Sequence, residues 1–189
     1  MPPYTFLPTP ESTAYFSSIP WCSQLLTSSL YTPIRTPSRD VKPSGEDSFF
    51  AETLKTDRTI PYALTLIVKP DPPTAIPTEI LILLDLRDGI NGFPSISHGG
   101  FLAAVLDEVA GVLMDVRHRH PLVQKKPSMT GYLNVRYVRP LKTPCVAVAR
   151  AKFKRVEGRK LWVDASVEDD EGRLCAEAET LFIELKEKL

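Results

Sequence analysis

Two features of one stretch, Ser97 to Met114, carry residue types that could do chemistry. At its start, His98 leads into Gly99 and Gly100, and glycine leaves the first backbone N–H groups of a helix uncovered by side chains. Such an end suits a negatively charged oxygen, either a resting anion or one that develops during reaction. Further along, Asp107 interrupts an apolar run, where an isolated carboxylate is costly. A carboxylate in a partly desolvated pocket can serve as a nucleophile or as a general base toward water. Its neighbours at helical spacing are Gly100, Ala103, Ala104, Ala110, Gly111 and Met114, so the face around it carries little bulk. The plainer reading makes Asp107 a surface residue and His98 a cap. Glu108 falls about 100° further round, on the side of Asp115, and reads as solvated or as a cap to a loop.

Spacing then makes a geometric demand. His98 and Asp107 are separated by about two and a half turns, which places them on opposite faces roughly 13 Å apart. One copy of the helix cannot aim both at one atom. A site using both combines two helices, most simply from two copies of the chain.

Lesser candidates accompany these. Thr130 opens the first strand after the helix, where a hydroxyl can orient a carboxylate or a water, although most such threonines are only good strand formers. Lys152, Lys154, Arg155, Arg159 and Lys160 crowd one hairpin and could meet the phosphates of a carrier; a solvated hairpin end explains them equally. His118 and His120 lie in a basic turn read as exposed. With His98 they make no metal-ligand spacing, so no metal is expected. There is no Gly-x-Ser-x-Gly elbow, no phosphate-binding Gly-x-x-x-x-Gly-Lys and no dinucleotide fingerprint.

The elements that must hold these residues can be read from composition and periodicity. At 189 residues there is enough chain for one good core. Lys plus Arg and Asp plus Glu balance at 23 each, so no global field points to nucleic acid. Three scattered cysteines make neither a disulfide framework nor a zinc site and favour a reducing compartment. No apolar run is long enough to span a bilayer. The first basic residue is Arg35, after Glu11, which argues against a secretory n-region and an Arg-rich presequence. A cytoplasmic location is the expectation, with a mitochondrial one left open.

Thirteen of the 18 prolines lie in the first 80 residues, which tells against regular structure over much of that part. Residues 1–45 read as a proline-rich extension: a tail, a helical segment within Glu11–Tyr31 with Ser12 or Ser18 as caps, and a linker over 32–45. Strand character begins at Phe49–Leu54, returns at Tyr62–Val68, and continues in Glu79–Leu86, whose unbroken apolar run predicts a strand covered on both faces. A loop from Asp88 to Ser97 delivers the chain to the helix, which no proline interrupts between Pro94 and Pro121. Four strands follow, in Met129–Val138, Cys145–Phe153, Leu161–Val167 and Leu174–Leu185. The layout predicts an α+β fold, an antiparallel sheet wrapped around one long central helix, with residues 46–189 as its domain.

These residues resemble a known family. His98-Gly99-Gly100, small and apolar residues, and aspartate nine positions after the histidine are similar to the hotdog-fold acyl-CoA thioesterases of the phenylacetate type. Met129-Thr130, Leu133 to Pro140, Val156 to Lys160 and Glu177 to Ile183 add a closer likeness to the carboxyl-terminal modulator protein-like branch, over roughly residues 46–187. The resemblance implies a double-hotdog homodimer, with further pairing into tetramers open. It implies hydrolysis of acyl thioesters, on coenzyme A or on an acyl carrier, with no cofactor beyond the coenzyme A of the substrate. Gly99 N–H, with His98 beside it, would hold the thioester oxygen. Asp107 and Thr130 of the other subunit would attack or activate water. Asn91 is one residue out of register with the family's loop asparagine and joins Gly100 of the helix start and Arg159 and Lys160 of the basic hairpin as the substrate-binding candidates. Acyl length and type stay open. A dehydratase or carrier-thioester-processing enzyme on this scaffold, or a non-catalytic regulatory binding protein, is the alternative.

Overall fold

The computed structural model describes residues 6–186. Its centre is the helix α3, Gly99–His118, capped by His98 and longer by one turn than the apolar run alone predicts. Around it lies a seven-stranded antiparallel sheet built from β1 (Tyr31–Ile34), β2 (Ala63–Val68), β3 (Glu79–Leu86), β6 (Ser128–Tyr137), β7 (Cys145–Glu157), β8 (Lys160–Glu168) and β9 (Leu174–Glu184), in the spatial order β1-β2-β3-β7-β8-β9-β6. The loop before α3 holds a small hairpin, β4 (Asn91–Phe93) and β5 (Ile96–Ser97). No helix among the described residues is long and apolar enough to cross a membrane.

Strand β3 shows why its sequence lacks alternation. Ile80, Ile82, Leu84 and Leu86 join the core formed with α3, while Leu81 and Leu83 face the opposite layer. That layer is α1 (Pro10–Ser17) and α2 (Pro20–Thr27), which lay Phe16 and Cys22 against Leu64, Leu66, Leu81, Leu83 and Val148. The helix expected within 11–31 is thus two helices, broken where Pro20 opens the second. The first is capped by Thr9, whose side chain accepts from Ser12 N–H, and not by Ser12 or Ser18.

Two further expectations are corrected. Residues 31–34, mostly assigned to the linker, pair with β2 as an edge strand; Pro33 is tolerated there because its missing N–H costs an edge little. Phe49–Thr53 is a helical turn, not a strand. The cause is Arg39. Its buried guanidinium donates to the carbonyl oxygens of Phe50 at 2.6 Å, Leu54 at 3.3 Å and Ile60, and winds residues 50–60 about itself. Segment 36–54 consequently folds back along one flank of α3.

Candidate active site

The start of α3 is held by local chemistry. His98 N–H donates to Ile90 O at 2.9 Å, which joins the helix to the loop before it. The His98 imidazole accepts from Gly100 N–H at Nδ1, also at 2.9 Å. With Nδ1 an acceptor, the neutral ring carries its proton on Nε2 and offers a donor to the outside. Gly100 N–H is therefore occupied, whereas Gly99 N–H has no protein acceptor among the described residues. Tyr137, at the end of β6, donates its hydroxyl to Gly99 O at 2.9 Å and steadies this turn. Gly92 lies so close that a Cβ there would meet His98 Cδ2 at 2.8 Å, so glycine at 92 is what lets the imidazole take its place. Neither Gly92 nor Tyr137 stood out in the sequence, because each acts only through a neighbour remote in the chain.

The middle of α3 carries the second group. Thr130 Oγ1 donates to Asp107 Oδ1 at 3.0 Å, leaving Oδ2 free of that bond. Strand parity alone would not place Thr130 there. Leu133 and Val135 pack on the α3 core, so Thr130 belongs by alternation to the outward set with Asn134 and Arg136. A β-bulge between Thr130 and Tyr132 inserts one residue and turns Thr130 back to the helix. Gly131 occupies the bulge, where a Cβ would approach Ile183 Cδ1 to 3.0 Å.

The other candidates lie apart from this pair. Asn91 begins β4 beside the helix start, and its Oδ1 accepts from Thr143 Oγ1. Arg159 donates to Glu184 O at 2.8 Å and Lys160 pairs with Ile183, so both sit at the end of the sheet opposite Gly99 within one chain. The structure thus joins Asp107 to Thr130 and His98 to Gly99 and Gly100, and keeps these two groups separate along α3.

Three residues differ from their expected surroundings. His120 is buried and accepts from Leu122 N–H at 3.3 Å, and His118 is half-buried, with its side chain covered close to Glu184. Glu108 is half-buried against the 36–54 segment, with its Oε1 fully covered, instead of solvated. Desolvation lifts its carboxyl to about 7, aided by Asp47 and Asp107, while Ser38 and Arg39 pull the other way. Burial lowers Arg39 to about 10 against the opposing pull of Glu108. The sequence held no signal for this, since burial of Glu108 depends on a segment more than fifty residues earlier. Among the described residues, no three His, Cys, Asp or Glu side chains converge as a metal site.

Comparison with known proteins agrees with this architecture. Residues 95–176 match the thioesterase superfamily. Acyl-coenzyme A thioesterase THEM4 of Mus musculus is 32% identical over 97 residues, covering 51% of this chain and 39% of that protein, so the chain spans about two-fifths of that relative's length. Verlamelin biosynthesis protein B of Lecanicillium sp is 27% identical over 203 residues, covering 89% of this chain and 86% of that one. A solved thioesterase superfamily protein superposes with a TM-score of 0.51 at 25% identity, over 63% of this chain and 55% of its own. A hypothetical thioesterase from Streptococcus pneumoniae TIGR4, solved with coenzyme A, shares the fold at a TM-score of 0.52 and 13% identity, over 59% and 82%. The chain has the hotdog fold, and residues 95–176, which hold α3 and most of the strands after it, are the part that matches the thioesterase superfamily.

Proposed function

We propose that this protein hydrolyses acyl thioesters, with acyl-coenzyme A the substrate class, at sites shared between two copies of the chain. The observation that carries this reading is the Thr130–Asp107 hydrogen bond on a face of α3 lined by glycine and alanine. A superfamily match over residues 95–176 and the names of the relatives support the reaction class.

In this reading Thr130 fixes Oδ1 of Asp107, and Oδ2 takes a proton from water as the water oxygen bonds to the thioester carbon. Charge collects on the carbonyl oxygen, which Gly99 N–H and His98 Nε2–H of the other copy stabilise. The C–S bond then breaks, the thiolate leaves and takes the proton that Asp107 had accepted from water, and free acid remains with Asp107 again a carboxylate. Two copies are needed because Gly99 and Asp107 are about 12 Å apart along one helix. Strand β6 supports such pairing: its outer edge carries no strand among the described residues, and Met129 and Tyr137 on it are 59% and 54% exposed. Ten residues of unpaired edge are a template for a second strand.

Complementation tests the shared site. Gly99→Ala puts a methyl near the free amide, where ordinary contact with the Tyr137 ring at 3.5 Å leaves the fold room. Gly99→Ala and Asp107→Asn should each depress acyl-CoA hydrolysis. Refolded together, they should regain activity toward about a quarter of the wild-type level, the share of working sites in randomly paired dimers. An obligate monomer, or no recovery on mixing, would reject the shared site; undiminished turnover by Asp107→Asn would reject the hydrolase.

A further inference from the structure

A cavity of about 370 Å³ opens along α3 one turn beyond Asp107, between the 37–47 segment and the start of β6. Gly111 forms its floor, Met114, Met129 and Phe182 supply apolar wall, and Ser38, Glu108 and His118 border it; Lys42, Glu46, Asp47, Asp115, Lys125 and Lys126 also line it, with Lys42 paired to Glu46 and Asp47 and Asp115 paired to Arg119. Met129 precedes Thr130, so the cavity adjoins the proposed reacting centre. At roughly 30 Å³ for a water-sized group, it has room for on the order of ten non-hydrogen atoms.

Its polar border is unusual. Ser38 Oγ, Glu108 Oε1 and His118 Nε2 are all buried, and none has a hydrogen-bond partner among the described residues. Ser38 is near enough to Glu108 to pull its carboxyl down and His118 Nε2 stands 3.8 Å from Glu184 Oε1, but neither contact reaches the geometry of a formed hydrogen bond. An unpaired buried polar atom is costly, and three on one cavity point to something that pairs with them there.

Charge narrows the chemistry. Glu108 is held near 7 by burial, so at neutral pH it is protonated about half the time and can donate as well as accept. Burial also holds the His118 imidazole below its ordinary value, against the pull of Glu184, and so favours the neutral ring. A hydroxyl, which both donates and accepts, matches such a border better than a full charge does.

We propose that this cavity receives the acyl chain and selects chains bearing a hydroxyl, with Glu108 the specificity-determining residue and Ser38 and His118 further partners. This rests on the hydrolase reading and adds the substrate class to it. Discrimination comes from the plain chain as much as from the hydroxylated one: an unsubstituted chain would displace water and strand all three atoms.

The test compares decanoyl-CoA with its monohydroxy isomers. The wild type should favour at least one isomer by roughly tenfold in kcat/KM, the scale of one hydrogen bond to an otherwise stranded group. Glu108→Met should bring that ratio toward one, and Glu108→Gln, which keeps a donor and an acceptor, should hold it above the Met variant; circular dichroism checks that both fold. No preference in the wild type, or an unchanged ratio in Glu108→Met, would overturn the proposal. If no acyl-CoA is hydrolysed, the hydrolase reading fails separately, and calorimetry with free decanoic and hydroxydecanoic acids still reads the cavity: equal affinities would overturn it, and a Glu108-dependent preference would sustain it.

Discussion

Asp107 and Glu108 are adjacent on α3, yet the two flanks of the helix treat them differently. Asp107 lies on the open flank, bonded to Thr130 across an accessible face. Glu108 lies on the flank roofed by residues 36–54, where Arg39 organises the covering chain and Glu108 Oε1 has no partner among the described residues. One carboxyl keeps a positioned donor on an accessible face; the other is half-buried, with one oxygen fully covered and unpaired, at an energetic cost. In the proposed reaction the open flank carries the chemistry, and in the proposed cavity the roofed flank carries the selection.

The largest effect expected from this contrast is on turnover. Asp107→Asn should reduce acyl-CoA hydrolysis by about 10²–10⁴-fold, as befits loss of a proton acceptor, with little change in denaturation midpoint because its flank is accessible. A substantial loss of stability in this variant would erase the contrast.

The roofed flank should show itself in stability against pH. Glu108 is raised from 4.5 to about 7, so between these values the folded state binds the proton more tightly than the unfolded chain. Stability is then full below about 4.5 and falls as pH rises toward 7, by up to about 3 kcal/mol. Urea unfolding across this range should show the fall in the wild type and flatten it in Glu108→Gln. Parallel curves would show that Glu108 is not the group responsible.

Smaller effects separate Asp107 from its positioning partner. Thr130→Ala should lower kcat about tenfold, near the value of one hydrogen bond to a charged group, and Thr130→Ser, which keeps the hydroxyl, should recover most of it. Equal losses in both variants would assign Thr130 a packing role. The smallest change is expected at the far hairpin: Arg159→Glu should raise the apparent KM for acyl-CoA about two- to threefold by weakening attraction to phosphate. An unchanged KM would leave Arg159 with its bond to Glu184 O as its role.

Much of the fold was legible because its signals are local. The unbroken run in β3, the absence of proline in α3 and the alternation in the last four strands each record a repeating pattern of burial. Failures fell where a distant partner overrode local preference. Phe49–Thr53 has the aromatic and apolar character of a strand, but Arg39 draws the carbonyl oxygens of Phe50 and Leu54 inward and makes it helical. His118 and His120 belong to a basic stretch, yet the sheet end covers the side chain of the first and the turn buries the second.

By itself, the sequence determined a glycine-opened helix with an acid on its bare stripe, because helical spacing follows from the order of residues alone. Tertiary structure decided which hydroxyl meets that acid, since a bulge at Gly131 reverses the facing of Thr130. It also decided which of two neighbouring carboxyls loses its water. Desolvation depends on the chain segments that come to lie against a side chain, and nothing in the local sequence of α3 encodes the return of residues 36–54.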